Sequence, residues 1–159
     1  MNLLLIDEGL SVYDLVKNFA LIDKCEVYFS EKTDSILKYI KDHNIDVVIT
    51  DLDRYQNKAL SLINKLHHFD SLIDIILIGK AEHTENVMEI IKKGATDFLE
   101  KPVKQEIIEK TLRSINKKRT LRKETYILEK RLEEKYSFKG IIGKSPYMLE
   151  IFSLIEKIS

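Results

Sequence analysis

Short, continuous apolar runs recur along the first hundred residues, at 3–6, 47–49 and 75–78, with weaker ones at 26–29 and 96–99. Strands that are apolar on both faces belong to parallel sheets covered by helices on each side. Between these runs the apolar residues return at helical spacing: Val12, Leu15, Val16 and Phe19; then Ile36, Leu37 and Ile40; then Leu60, Ile63 and Leu66; then Val87, Ile90 and Ile91. Lys93-Gly94 closes the last of these with a basic turn and a glycine suited to a helix C-terminus. A fifth helix is expected after Pro102. The alternation is (βα)5, which predicts an α/β fold with an open, doubly wound parallel sheet. Right-handed crossovers leave only a few strand orders.

Beyond Val103, the residues Ile107, Ile108, Leu112 and Ile115 share one helical face. The pattern lapses over Lys117-Lys118-Arg119 and resumes at Leu121, Leu128 and Leu132, with Thr125 in register. No Gly or Pro interrupts residues 103–139. A helix from 103 to 136 would be roughly 50 Å long, far more than is needed to cover a sheet edge. Its second half reads either as a solvated single helix rich in charge pairs or as a short, imperfect coiled coil that dimerises the chain. The coiled coil is favoured, because those three leucines otherwise lack a partner. Gly140 then ends the helix, and Ser145-Pro146 reads as the N-cap and first turn of another. Met148, Ile151, Phe152, Ile155 and Ile158 would give that helix an apolar face with nothing after Ser159 to pack on, which suggests a cut inside a further domain.

Composition narrows the class. A hydrophobic content of 44% in 159 residues supports a real core and excludes wholesale disorder. No apolar run approaches the roughly 18–20 residues of a membrane span, and the run at 3–6 ends in Asp7-Glu8 rather than a signal-peptide cleavage site. The lone Cys25 excludes a disulfide framework and a cysteine-based zinc site, as suits a reducing cytoplasm. The 26 basic and 26 acidic residues cancel, but not locally. Residues 1–102 hold 12 Lys+Arg against 18 Asp+Glu, residues 103–139 hold 12 against 6, and the last twenty hold 2 against 2. An acidic domain is followed by a basic connector.

In an open parallel sheet, function gathers at the carboxyl ends of the strands, where the strand order switches. Asp7 and Glu8 follow the first strand, Asp51 the third and Lys101 the fifth. Carboxylates gathered in one crevice repel unless a hard cation joins them, and Mg2+ takes a few carboxylates together with water and phosphate. One such carboxylate can be the nucleophile that receives a phosphoryl group, with the lysine neutralising phosphoryl oxygens. Other candidates carry less. His67-His68 point to different helix faces and read as solvated surface, as do His43 and His83. Cys25 reads as packing. The run at 117–119 with Arg122-Lys123 has no aromatic stacking residue and no helix-turn-helix pattern, so nucleic-acid binding is not expected of this chain.

The stretches LLLIDE at the start, DVVITD around Asp51, and KKGATDFLEKPV at 92–103 resemble two-component response-regulator receiver domains over residues 1–118. That resemblance implies a flavodoxin-like and CheY-like sheet of order 2-1-3-4-5. It also implies Asp51 as phosphoacceptor, with Asp7, Glu8 and Asp51 as Mg2+ ligands. Lys101 would be the phosphate-contacting residue, Phe98 the aromatic switch and Lys101-Pro102 a cis peptide. The donor would be a sensor histidine kinase or a small phosphodonor. Three positions depart from the pattern. Gly79 stands where the family has a Ser or Thr that couples phosphoryl group to switch. Residues 52–59 lack the usual Met-Pro turn and Gly, and Glu8 replaces an Asp.

A receiver, a long helix and then FKGIIGKSPYMLEIFSLIEKIS resemble the regulatory part of NtrC-type, sigma-54-dependent transcription activators. The implied organisation is a receiver at 1–118, a helical linker at 119–138, and the start of an AAA+ domain at 139–159. The implied partners are a second copy of the chain, paired through the fifth helix and linker (Leu121, Leu128, Leu132), the chain's own AAA+ domain, and sigma-54 RNA polymerase. Gly140-Ile-Ile-Gly-Lys-Ser is not a phosphate loop, because two residues rather than four separate its glycines. No ATPase activity is therefore expected of these residues. The departures leave a rival reading, in which the receiver works without phosphorylation as a dimerisation or protein-interaction module.

Overall fold

The computed structural model describes residues 1–6, 12–30, 36–55, 59–80 and 84–137. The strands are β1 (Asn2–Ile6), β2 (Glu26–Phe29), β3 (Val47–Asp51), β4 (Asp74–Gly79) and β5 (Asp97–Glu100). The helices are α1 (Tyr13–Asp23), α2 (Ile36–His43), α3 (Leu52–Tyr55), α4 (Ala59–Phe69), α5 (Thr84–Lys92) and α6 (Gln105–Ser137). All neighbouring strands pair in parallel, in the order β2-β1-β3-β4-β5. This is the doubly wound sheet expected from the apolar runs, with the long C-terminal helix.

Strand alternation sorts the core into two layers. Leu3 and Leu5, Val47 and Ile49, and Ile76 and Ile78 face Val16 and Phe19 of α1 and Ile108, Leu112 and Ile115 of α6. Leu4 and Ile6, Val48, and Ile75 and Leu77 face Ile36 and Ile40 of α2, Ile63 and Leu66 of α4, and Ile90 of α5. β3 and β4 are buried along their whole length, which is why they read as unbroken apolar runs. Each fully buried Ile or Leu contributes about 1.5–3 kcal/mol of transfer free energy. Two polar ties fix α6 on α1: Gln105 Nε2 donates to the Leu15 carbonyl at 3.2 Å, and Arg113 pairs with Asp23 at 3.3 Å.

The link into β5 is held by side-chain as well as backbone hydrogen bonds. Gly94, at φ +118°, turns the chain out of α5. Thr96 Oγ1 accepts from the Ile75 N–H at 3.0 Å and donates to Asp74 Oδ1 at 3.2 Å. Asp97 accepts from the Phe98 N–H at 2.9 Å and from the Thr111 hydroxyl at 3.3 Å. β5, only four residues long, is thereby tied to β4 on one side and α6 on the other.

Several expectations change in detail. The segment after Asp51, read as an altered loop, begins with the helical turn α3. His67 is not solvated surface: it is half-buried, and its Nε2 lies 2.7 Å from the Gly94 carbonyl. His43 stacks at 4.4 Å from both Tyr28 and Tyr39, capping the outer edge of β2. Cys25 is partly buried against the α1–α6 layer, and burial raises its thiol pKa above the usual value. The Lys101–Pro102 peptide, by contrast, is cis as the resemblance implies. Asp7, Glu8 and His83, and all of 139–159 with its proposed helix, lie outside the described residues.

The chain divides into one unit at 1–116 and another at 117–159. On α6, Ile115 is the last buried apolar residue of the first unit. In the second, Leu121, Leu128 and Leu132 are each half exposed or more, as is Tyr126, and Ile127 is also exposed. Among the described residues, no helix is long and apolar enough to cross a membrane.

Candidate functional site

The register of the parallel sheet assembles the site. Ile6, the last residue of β1, pairs with Thr50, and Asp51 pairs with Ile78. The next positions along β4 and β5, Gly79 and Glu100, pair with each other. The carboxyl ends of β1, β3, β4 and β5 thus share one edge, and Asp51, Gly79 and Lys101 meet there although they are far apart in sequence.

Asp51 is 9% exposed. Its Oδ2 accepts from Lys101 Nζ at 2.5 Å, and its Oδ1 accepts from the Asp53 N–H at 2.9 Å. The latter contact exists because α3 starts directly after Asp51, turning the first free amides of the helix back towards the carboxylate. Lys101 also donates to Asp53 Oδ2 at 3.0 Å, while Asp53 Oδ1 accepts from the Lys80 N–H at 3.0 Å. One ammonium therefore bridges two carboxylates, and the second of these is itself held by a backbone amide at the end of β4.

The energetics of Lys101 follow from this bridge. Desolvation is the largest single influence and lowers its pKa, but the hydrogen bonds and charges of Asp51 and Asp53 together outweigh it. The folded pKa lies above the ordinary value, so the stability from this bridge is fully present at neutral pH. The part that belongs to Lys101 is lost as pH rises through that raised value and the ammonium deprotonates.

Phe98 is partly buried against the α2–α4–α5 layer, with its ring edge toward Gly79. A Cβ placed on Gly79 would stand 3.2 Å from Phe98 Cε2, 3.2 Å from Leu52 Cβ and 3.3 Å from Asp53 Oδ1. Gly79 does not have a positive φ, so its need for glycine is spatial. The position where a Ser or Thr was expected is hemmed in by a ring, an aliphatic side chain and a carboxylate.

Of the expected site residues, Asp51, Gly79, Phe98 and Lys101 come together. Leu121, Leu128 and Leu132 lie apart on α6. Among the described residues, no group of three or more His, Cys, Asp or Glu stands ready to hold a metal. Asp51 is the one expected metal ligand that is described, and its carboxylate oxygens are the donor type a hard cation takes. Asp53 was not among the expected site residues. The sequence shows only an acid two positions after the central carboxylate and a glycine at 79; the contacts that join them come from the fold.

A parallel five-stranded sheet that brings a carboxylate and a lysine together at its switch point defines the class: α/β domains that act at the carboxyl edge of a doubly wound sheet. The family profile described as "Response regulator receiver domain" matches residues 3–113. The chain belongs to that family, whose members are phosphoaccepting regulatory modules of two-component systems. A curated relative, the transcriptional regulatory protein MalR of Bacillus subtilis (strain 168), is 24% identical over 120 residues. Those residues are 74% of this chain and 51% of the relative, so the chain spans about half the relative's length. Among solved structures, a receiver domain from Clostridium thermocellum is 24% identical with a TM-score of 0.64, covering 76% of this chain and 98% of that one. NtrX from Brucella abortus, in complex with ADP, is 23% identical with a TM-score of 0.71, covering 99% of this chain and 35% of that one.

Proposed function

We propose that the chain is the regulatory part of a cytoplasmic, sigma-54-dependent transcription activator whose receiver takes a phosphoryl group on Asp51. The observation that carries this reading is the contact of the Lys101 ammonium with the buried Asp51 carboxylate. It pairs a nucleophile with the cation that offsets developing phosphoryl charge. Asp51 attacks the phosphorus of a phosphohistidine on a sensor kinase, or of a small acyl phosphate. A carboxylate–phosphorus bond forms, and the P–N or P–O bond breaks with its electron pair leaving on the donor. Asp7, Glu8 and Asp51 would hold Mg2+, which supplies charge neutralisation for the phosphoryl oxygens. Lys101 would contact the same oxygens, and Phe98 stands where a change at the site would reach the α5–β5–α6 face.

Receiver membership and the length match with NtrX support the activator reading, with the linker at 119–138 and the AAA+ segment at 139–159. The full chain incubated with Mg2+ and saturating acetyl phosphate is expected to gain one phosphoryl group by intact mass, and Asp51→Asn to gain none. Equal labelling of the two would overturn the assignment of Asp51. A wild-type chain that stays unlabelled at saturation would favour the second reading, a phosphorylation-independent interaction module. That reading draws on Gly79, which supplies no hydroxyl to couple phosphoryl group and ring.

The half-exposed Leu121, Leu128 and Leu132 support a homodimer through α6. Three leucines at that spacing form a seam that a second copy would cover. Light scattering of the full chain at tens of micromolar is expected to give twice the monomer mass. Leu128→Lys with Leu132→Lys is expected to return it to monomer, since each lysine puts a charge in the seam. Monomeric wild type would end the coiled-coil reading.

A further inference from the structure

The donors that a phosphoryl group on Asp51 needs are already engaged by another anion. Among the described residues, Lys101 is the cation in contact with Asp51, and the Lys80 N–H is the adjacent amide at the carboxyl end of β4. Both hold Asp53, Lys101 at Oδ2 and Lys80 at Oδ1. A carboxylate gripped by one ammonium and one backbone amide, 3.0 Å from each, has the charge and hydrogen-bonding demand of two phosphoryl oxygens. Three features of this sequence build the arrangement. The turn α3 carries Asp53 back over the edge of the sheet. Gly79 leaves the space, since any Cβ there would stand 3.3 Å from Asp53 Oδ1. The Asp53 N–H, bonded to Asp51 Oδ1, locks the two acids in register.

We propose that Asp53 is a built-in occupant of the phosphoryl subsite, a regulatory device that the incoming group must displace before Asp51 can be modified stably. The proposal rests on the reading of Asp51 as phosphoacceptor. Displacement has a cost because Asp53 is itself charged: its carboxylate must leave the ammonium and amide, and it repels the dianionic phosphoryl group while it remains nearby. The receiver is thereby set to respond only to strong or abundant donors. In the resting state the crevice already holds an anion on Lys101, with the Phe98 ring packed toward Gly79.

The test is a titration of the full chain with beryllofluoride in the presence of Mg2+, followed through the Lys80 amide by 15N NMR. Wild type is compared with Asp53→Ala, Asp53→Asn and Asp51→Asn. Freeing the subsite is expected to lower the beryllofluoride midpoint of Asp53→Ala by about tenfold, the equivalent of about 1.4 kcal/mol. Asp53→Asn, which keeps the shape and loses the charge, is expected to fall between. Asp51→Asn is expected to show no response. A midpoint in Asp53→Ala equal to or above that of wild type, with the response still dependent on Asp51, overturns the proposal and leaves the phosphoacceptor reading standing. No Asp51-dependent response in any variant overturns that reading, and the proposal with it. If Asp53→Ala loses its native amide dispersion, Asp53→Asn decides in the same way: a lowered midpoint supports displacement, and an unchanged one refutes it.

Discussion

Gly94→Ala is expected to cost the receiver about 3 kcal/mol, lowering its melting temperature by roughly 10 °C on the scale of a domain this size. Two effects add. The backbone at φ +118° lies where an L-residue is strained, which costs on the order of 1–3 kcal/mol. The new methyl group would also stand 2.6 Å from His67 Nε2 and 2.7 Å from its Cδ2, closer than carbon and these atoms approach in folded proteins. The ring must therefore swing away, giving up its 2.7 Å contact with the Gly94 carbonyl. His67→Ala separates the two effects. Alone it is expected to cost about 1 kcal/mol, the loss of one hydrogen bond with some packing. In its background Gly94→Ala should cost only the backbone strain, so the double variant is more stable than the two single losses predict. Urea unfolding of the four proteins measures this. A Gly94→Ala variant within about 0.5 kcal/mol of wild type, the scatter expected of ordinary surface changes, would show that neither strain nor clash is present.

That turn also shows how much of the molecule could be read from the sequence. The C-terminal glycine of α5 was legible because helix termination is a local property, set by backbone conformation at one residue. The sheet was legible for a related reason. Val47, Val48 and Ile49 are each fully buried, so both faces of β3 had to be apolar, and the run carries that directly. Asp51 and Lys101 could be placed because topology alone delivers the ends of β3 and β5 to one edge.

The roles of His67 and Asp53 were not legible, for the opposite reason. Each depends on a partner in another element: the Gly94 carbonyl for His67, and the Lys80 amide and Lys101 ammonium for Asp53. A histidine pair on a helix gives no local sign that one ring reaches the loop between α5 and β5. An acid after β3 reads as loop polarity until the turn α3 and the close surroundings of Gly79 are known. The altered loop and the missing hydroxyl looked like two independent departures in the sequence. In the fold they touch.

That contact makes the second prediction a test of coupling rather than of a single side chain. Gly79→Thr restores the hydroxyl-bearing residue expected from the family pattern, in a strand where threonine is favourable. It nevertheless is expected to destabilise the wild-type receiver by about 1–3 kcal/mol, the usual penalty for forcing atoms into a filled space. Leu52 and Phe98 stand 3.2 Å from the new Cβ, and the Asp53 carboxylate 3.3 Å from it, before the hydroxyl and methyl of threonine are added. Asp53→Ala removes the charged member of that ring of neighbours and frees the space its carboxylate fills. In the Asp53→Ala background the same substitution is expected to cost at least about 1 kcal/mol less, within the range measured for residues in direct contact. Leu52→Ala in place of Asp53→Ala is the control for space alone. It opens room beside Gly79 while leaving the carboxylate, so it should relieve the part of the crowding that lies with Leu52 and keep the part that lies with Asp53. Additive losses in the Gly79→Thr/Asp53→Ala pair would mean that the two departures evolved separately and do not share the crevice. Coupled losses would mean that the glycine is present because the aspartate is, which is the physical condition for a receiver that carries its own anion where others wait for a phosphoryl group.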